Sequence, residues 1–597
     1  MPDTAVPPNL RLIGGEMLAW SDDDAASGRL PVRGRVLERL ARTACPPDGR
    51  VLVAGPHDPD LVEALAGGGA SVACLLRSYA DSAALARRFP TVEVLCGSLA
   101  KLVPGEQFDA IVALDGVHRL VSVEGVNLNW GEALDTLLAA LRPGGRLVLA
   151  LENLLGVHRL VELAPWAADE TDAAWTPAGE YDDSRPRSLA QLTARLTAAE
   201  LRVGPAFSGY AVPGAPSLLV SAGGAGDAAL DGWLDGLVAA ACAAGFAGTP
   251  VLADPRQLAT SALRAGLGAE LAPLWVVIAD RAPAAAPPVD AAPVLVADGD
   301  QPGWEVEYTV APTGSGGWQR QVADDPGERA AGQVRRESSR LAGPLPAGRS
   351  LEQVLIGACL RRDLPEVRRL LGEYAGWLAG FRDEAGRLPG ECVFLTPSNT
   401  VVDGSRLAAL DPSWRLAGPL PYEVALARAL RQFAVDMITG GYPHPWPAAT
   451  DADGLTVILG GMAGMAIDRA TVREAVAIEV EIVAAVRGFD REQRSAYAER
   501  LAAIDEGTPA LDMDSHRKLH QSVLRLRQEL EHTQAKLAWY EELLDSREQA
   551  LNRAQRTIAL FSGSVGYRVG RVFVGGARWV VRGMRKVARA TRGRLAR

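Results

Sequence analysis

The pattern of apolar and polar positions between Phe108 and Asn153 sets the reading of this chain. Two short apolar runs, at 110–114 and 147–151, each end abruptly at polar residues. Between them residues 130–141 repeat apolar side chains at helical spacing, and Arg142-Pro143-Gly144-Gly145 closes that helix. Strand, helix, turn and strand make the unit of a parallel α/β sheet. Matching runs precede it, with strands expected at 51–55 and 70–76 and a helix over 60–66. Ligands of such sheets bind outside the carboxyl ends of the strands. Here those ends carry Asp115, Gly116, His118, Glu152 and Asn153.

Downstream, residues 225–280 read as helices that end in an apolar run at 274–279. The segment RAPAAAPPVDAAP (281–293) then reads as an extended linker. The predicted organisation is a first domain over 1–283, a linker over 284–294, a second domain over 295–509, a long helix over 515–561 and a tail over 562–597. In the long helix Val523, Leu530, Leu537, Leu544, Leu551 and Ile558 repeat every seven residues. The companion positions Leu526, Thr533, Tyr540, Arg547, Ala554 and Phe561 are mixed. This predicts a coiled coil with one strong seam position and hence a homo-oligomer; the alternative is one amphipathic helix packed on the body.

Charge sharpens the picture of the tail. The net charge is −10, yet the stretch from Gly566 to Arg597 holds ten Lys/Arg and no Asp/Glu, so the remaining body carries −20. Val572, Phe573, Trp579 and Met584 alternate with those cations. Such a segment can bury one face in an anionic membrane surface, and its apolar content argues against nucleic acid. Length predicts two or three domains. The six cysteines lie far apart with no Cys-x-x-Cys pair, which speaks against a zinc site or a disulfide framework and for a reducing cytosol. Neither a signal peptide nor a bilayer span is expected from the apolar runs.

FDAIVALDGVHRL and LRPGGRLVLALEN resemble the fourth and fifth strands of class I S-adenosylmethionine-dependent methyltransferases, and 51–55 and 70–76 the first and second. ENLLGVHRL and YAVPGAPSLLV resemble the subset of these enzymes found with bacterial polysaccharide genes. The resemblance implies a Rossmann-like fold and S-adenosyl-L-methionine as cofactor. It places Gly55, His57, Asp58, Ser98, Asp115, Glu152 and Asn153 at the cofactor, with Asp115 and His118 as catalytic base or positioning groups. The bland alternative is that Asp115 caps a turn and His118 lies on its surface. The chain departs from its family at three places. The glycine-rich turn is Gly55-Pro56-His57-Asp58-Pro59, the acid that grips the ribose is replaced within Leu75-Leu76-Arg77, and the carboxylate near the adenine falls at Ser98.

PLPAGRSLEQVL (344–355) and VFLTPSNTVVDGSRLAALDPSW (393–414) resemble kinases of the aminoglycoside-phosphotransferase or lipopolysaccharide-kinase kind. The resemblance puts Asn399 and Asp411 at the magnesium that bridges the phosphates. Phe394 stands where the catalytic aspartate belongs, and Arg320 is the nearest stand-in for the phosphate-binding lysine. A kinase-like α+β domain without kinase activity, a pseudokinase, is therefore expected, and Mg-ATP is not. Asn399 and Asp411 also read as ordinary turn formers.

The whole plan resembles the bifunctional chain terminators of bacterial O-antigen polysaccharides, which act on a lipid-linked glycan at the inner membrane face. The first reading is a peripheral, cytoplasmic-side methyltransferase acting on a glycan hydroxyl in polysaccharide biosynthesis. The second is an inactive membrane-bound scaffold that recruits glycosyltransferases through its coiled coil.

Overall fold

The apolar runs are continuous because their strands are covered on both faces. In the computed structural model Val51 and Val53 join one core with Val112 and Val148, while Leu52 and Ala54 join another with Ile111 and Leu149. The structure describes residues 6–23, 30–103, 105–162, 182–247, 249, 251–283, 289, 291–299, 301, 303–314, 317–323, 327–447, 450–504, 516–563, 566 and 582–585. Met1–Arg517 forms one compact unit and Lys518–Arg597 another.

The first unit opens with β1 (Leu10–Gly14), α1 (Arg35–Ala44), β2 (Arg50–Ala54), α2 (Pro59–Gly67), β3 (Ser71–Leu76), α3 (Tyr79–Arg88) and β4 (Glu93–Gly97). Next come β5 (Phe108–Ala113), α4 (Trp130–Ala139), β6 (Leu141–Glu152), α5 (Val157–Val161), α6 (Leu189–Ala198), β7 (Leu201–Tyr210) and β8 (Leu218–Ser221). The single turns α7 (Ala222–Ala225) and α10 (Gly268–Leu271) bracket α8 (Ala228–Gly245) and α9 (Pro255–Arg264), and β9 (Leu274–Arg281) follows.

Strands β1-β4-β3-β2-β5-β6 are parallel neighbours, β9 lies antiparallel beside β6, and β7 and β8 follow. The order reverses between β2 and β5, which makes their carboxyl ends the topological switch point. This is the doubly wound, Rossmann-like arrangement implied by the resemblance. The expected helix at 130–141 starts at a capping box, in which Asn129 and Glu132 satisfy each other's backbone N–H. The expected turn at 142–145 is instead a bulge at the start of β6: Leu141 pairs with Phe108 and Arg146 with Ala110, two positions on.

The sheet continues past 284–294. β10 (Val294–Asp298) pairs antiparallel with β8, Val294 opposite Val220, so the edge of β8 is not left open. β11 (Val306–Pro312) and β12 (Trp318–Val322) extend it. After a hairpin of β13 (Glu328–Ala331) and β14 (Val334–Glu337), β15 (Gly343–Pro344) completes the sheet of 13 strands. The rest is mainly helical: β16 (Arg349–Ser350), α11 (Leu351–Leu360), α12 (Leu364–Ala379), β17 (Arg387–Leu388), a hairpin of β18 (Thr400–Asp403) and β19 (Arg406–Ala409), β20 (Trp414–Leu416), β21 (Leu420–Pro421), α13 (Tyr422–Thr439), α14 (Ala452–Met462), α15 (Arg469–Arg487) and α16 (Arg491–Ala502). Its core gathers Leu355, Leu371, Tyr374, Leu430, Phe433 and Leu459.

In the second unit α17 (His516–Gly563) is one helix. Leu530, Leu537, Leu544, Leu551 and Ile558, the expected seam, are all more than half exposed. The Val523 side chain and most of the 562–597 tail lie outside the described residues. Among the described residues, no helix is long and apolar enough to cross a membrane. The six cysteines are buried free thiols.

Candidate functional site

At the switch point the chain turns sharply after β2. Gly55 has φ +97°, and a Cβ there would stand 3.5 Å from the Asp115 Cβ and 3.7 Å from Leu120 Cδ2. His57 folds its ring back between the two strand ends. The Leu114 N–H donates to His57 Nε2 at 3.1 Å, so Nδ1 carries the proton and donates to the Gly55 carbonyl at 2.9 Å. Both ring nitrogens are thus engaged within the fold. Burial lowers the His57 pKa and keeps the ring neutral. Asp58 caps α2 by accepting from the Asp60 N–H at 2.9 Å.

At the end of β3, where the family carries an acid, Arg77 is buried and paired bidentately with Asp22 at 2.7 and 2.8 Å. Its third contact is the Val121 carbonyl at 2.9 Å. The segment carrying Asp22 is stitched down on both sides. Met17 N–H donates to the Arg77 carbonyl at 2.8 Å, and Ser78 Oγ donates to the Trp20 carbonyl at 2.8 Å. Burial alone would push the Asp22 carboxyl up; the Arg77 hydrogen bond and charge outweigh it and hold the pKa below the usual range. Ser98 is fully buried, and Cβ atoms on Gly15 or Gly125 would stand 3.1 or 3.2 Å from its own Cβ.

On the rim, Asp115 makes a bidentate pair with Arg119, and His118 Nε2 lies 3.8 Å from Asp115 Oδ2. Arg119 also reaches the Leu30 carbonyl at 3.0 Å, which ties the amino-terminal segment to β5. Burial lowers the His118 pKa. Glu152 accepts from His158 Nε2 and Arg159 Nε, both at 2.9 Å. Burial pushes its carboxyl up, but His158 and Arg159 bring it down to about 2. Asn153 turns away and donates to the Glu270 and Ala272 carbonyls at 2.6 and 2.8 Å. The structure thus gathers Asp115, His118 and Glu152 on one side of the switch point and leaves Asn153 as a brace.

S-adenosylmethionine does not fit this cleft as it is folded. The ribose-binding carboxylate is replaced by a buried guanidinium already paired to Asp22, the Ser98 position is closed, and His57 fills the turn. The cavity left beside Gly55, Pro56 and His57 holds about 270 Å³ and is walled by Val53, Val62, Leu76 and Leu85. His57 also makes stability depend on pH. The unfolded ring titrates near pH 6.5, and the folded value is lower, so its contribution is complete above about pH 6.5 and is lost as pH falls through the folded value. His118 adds to the same slope. The urea midpoint should fall between about pH 7.5 and pH 5.5, and His57→Gln should flatten part of that fall.

In the helical half, Asn399 uses both ends of its amide on backbone. It donates to the Phe394 and Asp411 carbonyls at 2.9 and 2.8 Å and accepts from the Asp411 N–H at 2.6 Å. Asp411 faces Arg336 at 3.4 Å, and Arg336 also pairs with Asp298. Burial raises the Asp411 pKa against the pull of Arg336. Arg320, on β12, donates to the Leu410 carbonyl. These groups line a cleft of about 490 Å³ whose far end holds Arg256, Glu352 and Asp436. Among the described residues no cluster of His, Cys, Asp and Glu is arranged to hold a metal ion. Sequence reasoning missed Asp22, Arg336 and the Glu352–Asp436 pair. Asp22 sits in an aperiodic stretch 55 residues from its partner, and Arg336 reads as one more surface position of an alternating V-R-R-E strand.

No family model matches the chain, and no curated protein is similar to it. Among solved structures it is similar to a TehB-like methyltransferase from Corynebacterium glutamicum, at 18% identity over 31% of this chain and 80% of that one, with TM-score 0.20. A 1,6-didemethyltoxoflavin-N1-methyltransferase from Burkholderia thailandensis, bound to S-adenosylhomocysteine, is 14% identical over 41% of this chain and 77% of its own, with TM-score 0.20. A SAM-bound amino pentose methyltransferase from Micromonospora echinaspora is 26% identical over 19% and 47%, with TM-score 0.16. The Rossmann-like fold class rests on this chain's own strand order.

Proposed function

We propose that the chain is a scaffold of methyltransferase-like fold that performs no methyl transfer itself. One observation carries this reading: the switch-point cleft is filled by the chain's own Arg77–Asp22 pair and His57 ring. A methyl donor therefore has no seat, and a glycan hydroxyl brought to the Asp115–His118 rim has nothing to react with. The exposed heptad face of α17 supports self-association, and the +10 tail supports a peripheral place on an anionic, inner membrane face. The likeness of ENLLGVHRL and YAVPGAPSLLV to the polysaccharide-linked subset supports a role in cell-surface polysaccharide assembly, with glycosyltransferases as the partners recruited.

The test is sedimentation and vesicle flotation of the full chain. The account expects an oligomer that Leu537→Glu with Leu544→Glu dissociates, and flotation with anionic vesicles that weakens with salt. A monomer indifferent to anionic vesicles would sink the scaffold reading.

A further inference from the structure

The cleft between α8 and the β10–β12 strands is the largest feature that the scaffold reading does not use, and the inference below does not rest on that reading. One wall is α8, which presents Gly236, Ala239, Ala240 and Ala243 along a single face at helical spacing. These small side chains keep the wall flat and leave the volume open. The opposite side carries an aromatic stack: Phe394 lies 5.9 Å from Trp414 at 29°, and Trp414 lies 5.3 Å from Trp304 at 17°.

The polar lining is unevenly paired. Arg256 is clamped by Asp254 at 2.7 Å and Arg428 by Glu479 at 2.7 Å. Arg320 has no ion pair among the described residues, is only 5% exposed, and its Nε donor has no partner. Four carboxyl groups border the same space: Asp298, Glu352, Asp411 and Asp436. The Glu352 and Asp436 carboxyls hydrogen-bond each other, and burial raises both pKa values. Ser398 stands between Thr396 Oγ1 at 3.0 Å and the Gln432 amide at 3.4 Å.

Three ligand classes can be weighed against this lining. A phosphate would satisfy Arg320 but would face four carboxyl groups. A polyamine would satisfy the carboxyls but would leave Arg320 unpartnered and repel it. A polyhydroxylated ring does both, because each hydroxyl accepts from a guanidinium and donates to a carboxyl without adding net charge. Its apolar face matches an aromatic wall, and about 490 Å³ lies within the usual range of small-molecule sites. We propose that this cleft binds a neutral saccharide of one or two rings, seated between the small-residue face of α8 and Phe394, with its hydroxyls on Arg320 and the Glu352–Asp436 pair.

The test uses the full chain with the methyl glycosides of glucose, mannose and galactose, and with N-acetylglucosamine, followed by saturation-transfer NMR and calorimetry. At least one should bind. Arg320→Met should weaken it by about tenfold or more, and Ala240→Phe, which fills the wall side, should abolish it. Thermal melts identify any variant that fails to fold, in which case Gln432→Leu, at the middle of the cleft, takes its place. The inference is overturned if none of the four binds at tens of millimolar, or if binding ignores these substitutions. It is equally overturned if only inorganic phosphate, Mg-ATP or spermidine occupies the cleft.

Discussion

Arg77→Ala is expected to destabilise the first unit by about 3–5 kcal/mol, because it strands a buried carboxylate. Arg77 and Asp22 have side chains 1% and 3% exposed, and Asp22 has no second guanidinium in direct contact. Replacing both partners is a different matter. Arg77→Met with Asp22→Asn removes the charges together and should recover most of the loss, since a buried pair is often no better than an apolar one. Urea unfolding of the two variants separates the cases. Equal losses would mean that the pair is not the lock on the amino-terminal segment.

The second large effect is expected at Arg336→Met, also about 3–5 kcal/mol. Arg336 is 1% exposed, lies over Trp414 at 4.6 Å and donates to Ser413 Oγ at 3.3 Å. Its guanidinium is the cation between Asp298 and Asp411. Without it two carboxyls face each other in a buried place. The sign with pH follows. Burial already raises the Asp411 pKa, so protonation relieves the variant, and its deficit should shrink as pH falls from neutral toward the carboxylate range. A deficit independent of pH would mean that Arg336 acts by packing on Trp414 alone.

Much of the fold was legible because buried parallel strands write themselves as unbroken apolar runs. The runs at 110–114 and 147–151 became β5 and the core of β6 for that reason, and Asn129–Glu132 marked where α4 begins. The join between β8 and β10 was not legible. Each strand is only four or five residues long, and a Pro/Ala-rich stretch between them reads the same whether it links separate domains or one sheet.

The candidate site was legible only by subtraction. The two extra prolines, Arg77 in place of an acid, and Ser98 announced that the usual contacts were gone. What replaced them depends on pairing across the fold: Asp22 to Arg77, and His57 to Leu114. No local pattern encodes such partners. Asn399 shows the converse. Its spacing to Asp411 suits a metal pair, but the same spacing lets one amide bridge the backbone at both positions, and that is how the structure uses it.

The central claim is that the chain's own side chains occupy the place of the methyl donor. Calorimetric titration of S-adenosylmethionine, and separately of S-adenosylhomocysteine, into the full chain tests it most directly. The account predicts no binding heat even at millimolar ligand, and the same silence for both compounds. Micromolar binding of either, abolished by Gly55→Val, would contradict it and restore methyl transfer as the function to pursue.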